Sequence, residues 1–282
     1  MSYAHFRVNR VPFTDWRYRA RILYVSRNQY PRPSINPALT SIVRYRNPPI
    51  VEALVDIHVS FVGDAHLAAA ATMEGEHVRY PTRLPMTTTS WRVSPSEIAP
   101  AEQKQVGYRY ESEGTGRVVL VRFDGFTFSQ HQPYPTNGWG EWTIEARRLW
   151  HRYADAFVGA TVTRVAVRYI NRLRIDEGQE HELHFNVGPR VPERFGRCKN
   201  FLLRTELSAG ADIGATVLLT HGEVVLEPGE QGRAFLLDFD ISSPSSEDVR
   251  SAGIWNRLDE LHSLVGPLFE QSLTEYTKES LR

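Results

Sequence analysis

Apolar and polar residues alternate along Ile50–Phe61 and again along Thr161–Ile175. In the first stretch Val51, Ala53, Val55, Ile57 and Val59 share one side, and Glu52, Leu54, Asp56 and His58 share the other. In the second, Val165, Val167, Tyr169, Leu173 and Ile175 oppose Arg164, Arg168, Arg172 and Arg174, with Ile170 among the arginines. A period of two predicts a strand with one buried face. Each long strand precedes a block of the same make-up, 105–158 in one case and 199–279 in the other: short strands, then an amphipathic helix anchored by tryptophan.

Within the first block, Val106–Glu111 and Arg117–Phe123 flank Glu113-Gly114-Thr115-Gly116, which predicts a hairpin. Phe126–Gln130 is a further short strand. Trp142, Ala146, Leu149, Trp150, Tyr153 and Phe157 recur at three and four, so a helix runs from about Trp139 to Phe157 and Gly159 ends it. Upstream, Asp64 can cap a short helix over Ala65–Met73, and Tyr80–Pro100 offers one strand around Thr87–Val93. In the second block a loop, Gly178–Gly196, precedes strands at Phe201–Leu207, Ala215–His221 and Ala234–Ile241, with a turn at Ser242–Ser246. Ile254, Leu258, Leu261, Val265, Leu268 and Phe269 mark one side of a last helix reaching about Lys278, which Gly266-Pro267 should kink.

A sheet with one apolar face needs a cover, and two helices with one apolar stripe each supply it. The expected fold is therefore α+β: a single curved, mostly antiparallel sheet built from two pseudo-repeats, 47–159 and 160–282, with both long helices on one face. The leading strands are expected side by side near a pseudo-twofold. Parity then collects Glu52, Asp56, His58, Arg109, Glu111, Arg164, Arg168, Arg172, Arg204, Glu206, Asp238 and Asp240 on the open face. Acids facing arginines across strands would add about 0.2–1 kcal/mol per pair. Acids and arginines on opposite faces would refute the two-repeat reading. A charged open face is the ordinary solvated side of such a sheet, or a surface for a ligand or partner.

Charge changes the picture at the N-terminus. Residues 1–46 hold nine arginines against one acid, Asp15, a net charge of +8 in a chain of zero net charge, so the remainder carries −8. This segment mixes arginine, proline and aromatics without clean periodicity and is expected to be a poorly ordered basic arm, ahead of a single domain over 47–282. Arginine beside aromatics can bind nucleic acid by phosphate contact and base stacking; a partner-binding arm is the other functional reading. The net −8 of the remainder opposes phosphate contact by the sheet itself. One cysteine, Cys198, forbids an internal disulfide framework and fits a reducing compartment. No apolar run suits a signal peptide or a membrane helix, so the expectation is a soluble, cytoplasmic protein.

Candidate chemistry is thin. Asp238 and Asp240, two apart on a strand, point the same way as a two-carboxylate metal site requires, but strand alternation alone explains them. His181 and His184 lack the second pair of ligands that a zinc site needs. Asp56 and His58 could form an acid–base pair on their shared face. Cys198 lies between Arg197 and Lys199, which would favour its thiolate, but no histidine base is placed beside it. His131 and Asp124 are similarly unsupported, and Gly114-Thr115-Gly116 follows hairpin logic rather than phosphate binding. No Walker loop, nucleophile elbow or kinase motif set is present. Neither a cofactor nor a metal is expected.

Asn47-Pro48-Pro49-Ile50-Val51-Glu52-Ala53, Gly107-Tyr108-Arg109-Tyr110, Asp124-Gly125-Phe126-Thr127-Phe128, Arg168-Tyr169-Ile170-Asn171-Arg172 and the Trp255 helix with Phe269-Glu270-Gln271-Ser272 together resemble a sporadically distributed family of prokaryotic proteins of about this length. The resemblance spans roughly 46–280 and carries no established activity. The basic arm lies outside it, which fits an extension from an upstream start codon. Gly266-Pro267 interrupts a helix that is more continuous in that family. The scattered occurrence implies an accessory system such as defence or a toxin–antitoxin pair. The expected function is thus a non-enzymatic interaction protein, its partner another protein encoded nearby. The alternatives are a small-molecule binder or enzyme with a pocket between sheet and helices, and nucleic-acid binding through the arm. No membrane partner is expected.

Overall fold

The computed structural model describes residues 45–94, 97–196, 198, 200–210 and 213–282. These form one open antiparallel sheet of nine strands with helices on its apolar face. The strands are β1 (Ile50–Ser60), β2 (Thr82–Ser94), β3 (Glu97–Ser112), β4 (Arg117–Arg122), β5 (Gly125–His131), β6 (Thr161–Ile175), β7 (Leu202–Ala209), β8 (Ala215–Val224) and β9 (Arg233–Pro244). The helices are α1 (Ala65–Thr72), α2 (Trp139–Ala156), α3 (Gly253–Ser263), α4 (Val265–Ser272) and α5 (Glu275–Leu281).

The strand order is β2-β3-β4-β5-β1-β6-β9-β8-β7. The two long alternating strands, β1 and β6, are neighbours at the middle, with Val55 opposite Val167 and Ile57 opposite Val165. On either side the later strands of each half follow in the same sense, the last strand of the half lying beside its central strand and the earliest at the edge.

Alternation decides which side chains meet the helices. Ala53, Val55 and Ile57 are fully buried, as are Phe126 and Phe128 on β5 and Val165 and Val167 on β6. The stripe of α2 lies over them. Trp142, Ala146, Leu149, Tyr153 and Phe157 have no exposure, and Trp150 has 1%. Trp142 stacks on Phe128 with ring centres 5.9 Å apart, and Trp150 meets Phe126 edge-on at 5.7 Å. Such rings bury ~150–250 Å² each and dominate the energetics of a core. The same face of β6 and β9 is covered by Ile254, Leu258 and Leu261 of α3. Helices α2 and α3 touch through Arg147, which binds both oxygens of Asp259 at 3.0 and 3.1 Å and lies over the Trp255 ring. Beneath that contact Trp142 Nε1–H donates to the Tyr134 hydroxyl (3.1 Å), which is 3.2 Å from the Tyr169 hydroxyl, itself 3.2 Å from His262 Nδ1.

Helix α1 starts at Asp64, whose carboxylate accepts from the Leu67 amide at 3.0 Å, the capping expected of aspartate there. Arg148 of α2 ties this region down through two bonds to Glu76, of 2.6 and 2.8 Å.

Three boundaries differ from the pattern-based expectation. The single strand at Thr87–Val93 is instead the long hairpin β2–β3, paired from Thr82/Glu111 to Ser94/Glu97. Pro85 and Pro100 hid it. Both are tolerated because β2 is an edge strand, and β3 pairs with β4 only over Gly107–Ser112. Ser242 and Ser243 are not a turn but continue β9 opposite Ala166 and Val165. The last helix is three helices rather than one kinked rod. Pro267 stands in the first turn of α4, where its missing N–H removes no intrahelical bond. Thr274 caps α5, its hydroxyl accepting from Thr277 N. The α4–α5 junction is stitched to the 176–200 loop: Asn186 N donates to Ser272 O (2.8 Å) and Thr274 N to His184 O (3.1 Å).

Candidate functional site

The face of the sheet away from the helices carries the predicted charged residues. Register places Glu52, Asp56 and His58 on the same side as Arg164, Arg168 and Arg172, and extends that side to Arg109 and Glu111 on β3, Arg204 and Glu206 on β7, and Asp238 and Asp240 on β9.

Asp56 is the hub. Its Oδ1 accepts from Arg122 Nη1 (2.8 Å) and from the Thr127 hydroxyl (2.7 Å); its Oδ2 accepts from His58 Nε2 (2.8 Å) and Arg164 Nη1 (3.1 Å). Burial works against ionisation here, but Arg122, the His58 hydrogen bond and Arg164 outweigh it and hold the carboxyl well below the usual carboxylate range. Arg164 continues the ladder to Asp240 at 2.7 Å. Arg168 grips Asp238 with two bonds, 2.9 and 2.7 Å, in the fork geometry that suits guanidinium and carboxylate. Burial disfavours the charge on Arg168, and Asp238 more than restores it.

Only one acid–arginine pair crosses the β1/β6 junction, that of Asp56 with Arg164. Arg168 and Arg172 turn instead to Asp238 and to Glu230 in the β8–β9 loop, because Arg168 stands opposite the apolar Leu54 on β1. Glu52, opposite Ile170, accepts from Ser129, with His131 3.6 Å away. Arg109 and Glu111 pair with each other at 2.6 Å. Arg204 and Glu206 are exposed on the edge strand and form no ion pair among the described residues. The Asp56–His58 pair exists, yet two guanidiniums and a hydroxyl also occupy the carboxylate, so its geometry is that of a network node.

Pattern reasoning missed Arg122, the second most connected member. Its signal was present in the alternation of β4, where Val119 and Val121 are fully buried and Arg122 falls on the other parity. Gly125, opposite Arg122, makes room for it: a Cβ there would stand 2.4 Å from Arg122 Nη2 and 2.5 Å from the Ile57 carbonyl.

His181 and His184 do not act together. His184 Nδ1 meets the Thr277 hydroxyl (3.0 Å) and its Nε2 meets Gln179 Oε1 (2.8 Å). His181 Nε2 lies 2.7 Å from His221 Nε2, inside a ring cluster of Phe185, Phe201 and Phe235. The Leu236 carbonyl, 2.7 Å from His221 Nδ1, can only accept. His221 is therefore protonated at Nδ1 and accepts at Nε2 from the Nε2–H of His181. Burial favours neutral rings at both and pushes His221 down to about 4. His181 also lines a pocket of about 370 Å³ with Glu182, Cys198, Phe201 and Arg233. Cys198 is exposed, and its flanking Arg197 and Lys199 lie outside the described residues. A second pocket, about 430 Å³, lies between α1 and the β2–β3 edge, lined by Leu67, Met73, Glu76, Tyr80, Arg83 and Tyr110.

Among the described residues no group of three or more His, Cys, Asp or Glu could hold a metal ion. No helix of these residues is long and apolar enough to cross a membrane. The expected basic arm lies outside the described residues except for Tyr45 and Arg46. Comparison of the chain with models of known protein families and with characterised proteins gives no match.

Proposed function

We propose that this chain is a non-enzymatic binding protein that recognises a protein partner across the open face of its sheet. The observation that supports this most is the contrast between the two faces. Between sheet and helices the space is filled by rings that have essentially no exposure, Trp142, Trp150, Phe126, Phe128 and Phe157 among them. On the open face, Arg164 bridges Asp56 and Asp240 and Arg168 grips Asp238, at 2.7–3.1 Å, which makes a rigid polar platform. Towards its margins stand more exposed charges, including Arg174 at 59% and Glu111 at 39% side-chain exposure. Marginal charges of this kind steer encounter and set specificity more than affinity. The family resemblance supports a partner from an accessory system, encoded nearby.

The test is capture of the products of neighbouring genes by the immobilised full chain, comparing wild type with R109E/R174E. The reading expects a partner whose retention falls at least about tenfold in the variant, with thermal stability unchanged. Equal retention by both proteins would remove the open face from consideration. A small-molecule site is the second reading, supported by the polar lining of the His181 pocket. It predicts a metabolite-dependent thermal shift that H181F abolishes.

A further inference from the structure

The two edges of the sheet are built differently. The β2 edge carries Pro85 and two register shifts against β3, devices that keep an edge from pairing with another chain. The β7 edge has none of them. Leu202–Ala209 contains no proline and no lysine and pairs with β8 in unbroken register from Leu202/Gly222 to Ala209/Ala215. Two of its leucines are exposed, Leu202 at 75% and Leu207 at 39%. An unbroken edge of this kind is a template for one more strand.

The sequence of that edge selects its occupant. Leu203-Arg204-Thr205-Glu206-Leu207 reads as its own complement when reversed. We infer that β7 pairs antiparallel with β7 of a second copy of this chain, about a twofold axis at Thr205, joining two sheets into one. In that register Arg204 faces Glu206 of the partner subunit, and Leu203 faces Leu207 of the partner subunit, each contact occurring twice. Directly opposed residues point to the same side of a sheet, so both ion pairs lie on the open face and both leucine pairs lie on the helix face. Moving the axis to Arg204 would set arginine against arginine, and moving it to Glu206 would set acid against acid. The charges therefore fix the register as well as the partner. The dimer uses an edge of the sheet, not the platform proposed for a protein partner, and stands or falls apart from that reading.

Sedimentation equilibrium of the full chain tests the inference. Wild type is expected at twice the 32.2 kDa chain mass. R204E and E206R each convert both ion pairs into like-charged pairs, and each is expected to weaken the dimer about tenfold or more. An equal mixture of R204E and E206R restores both pairs and should return the mass to that of a dimer holding one of each; the double variant R204E/E206R should dimerise by itself. The mixture also guards against misfolding, since a chain that failed to fold would not be rescued by another. Four results would overturn the inference: a wild type that is monomeric at tens of micromolar, a wild type that gains mass only with a different protein, single variants that stay dimeric, or a mixture that stays monomeric.

Discussion

Replacing Asp56 by Asn removes the charge at the hub of the open face while keeping its shape. The carboxylate is 17% exposed and Arg122 only 12%, so this pair is largely screened from solvent. Removing one member of a buried pair costs roughly 3–5 kcal/mol, mainly because the other charge is left without compensation. The lower end applies here. Arg164 keeps Asp240 at 2.7 Å, and Arg122 keeps Asp124, although at 3.4 Å and with that acid 54% exposed. The expected loss at neutral pH is about 3 kcal/mol, read as a lower urea midpoint at unchanged slope. R122M should cost a similar amount, and D56L/R122M should recover most of it, because apolar replacement of a whole buried pair is often neutral. The pH dependence has a definite sign. The folded carboxyl is held below its unfolded value of roughly 3.9, so its contribution is complete above that pH and is lost as the pH falls towards the folded value. The gap between wild type and D56N should be flat from neutrality to about pH 5 and close below about pH 4. A D56N cost under about 1 kcal/mol, the size of an exposed pair, would refute the hub reading.

Trp150→Ala empties a fully packed site between α2 and Phe126, and a loss of about 3–5 kcal/mol in urea denaturation is expected. Gly125→Ala should destabilise by about 1–3 kcal/mol and displace the Arg122 guanidinium; a crystal structure of the variant with Arg122 unmoved would contradict the account of that glycine. His221 stays neutral in the fold down to about pH 4, whereas the unfolded ring takes up its proton near 6.5. Folding therefore loses on the order of 3 kcal/mol from this ring as the pH falls through that window. H221L should flatten the stability profile between pH 6.5 and 4, and an unaltered slope would show that the ring does not titrate this way.

Strand parity carried most of the architecture. Because side chains alternate strictly along β1, β6 and β9, the residues of the open face could be collected before any pairing was known, and the three- and four-residue spacing from Trp142 to Phe157 marked the covering helix. Pairing itself was less legible. That Arg168 prefers Asp238 to an acid on β1 depends on which neighbour lies diagonally within reach, which no local pattern encodes. The His181–His221 contact joins a 3-10 turn to β8 across 40 residues and depends on how the 176–200 loop lies over Phe235. The breaks in the C-terminal helix had local signals, Pro267 suited to a first turn and Thr274 suited to a cap, but the periodic apolar stripe ran across both and masked them.

The central place of β1 has a consequence for synthesis. This strand leaves the ribosome first of the nine, yet both its neighbours come much later: Asp56 meets Thr127 71 residues on and Arg164 108 residues on. At about 5–20 residues per second, β1 waits roughly 4–14 s for β5 and longer for β6. Until they emerge, neither native neighbour can pair its backbone edges. Glu52 and Asp56, spaced along the strand, then act as electrostatic guards, since two nascent copies that paired in register would bring like charges together. Asp56, which later anchors Arg122 and Arg164 in the finished sheet, thus protects the chain first, before either arginine has been made.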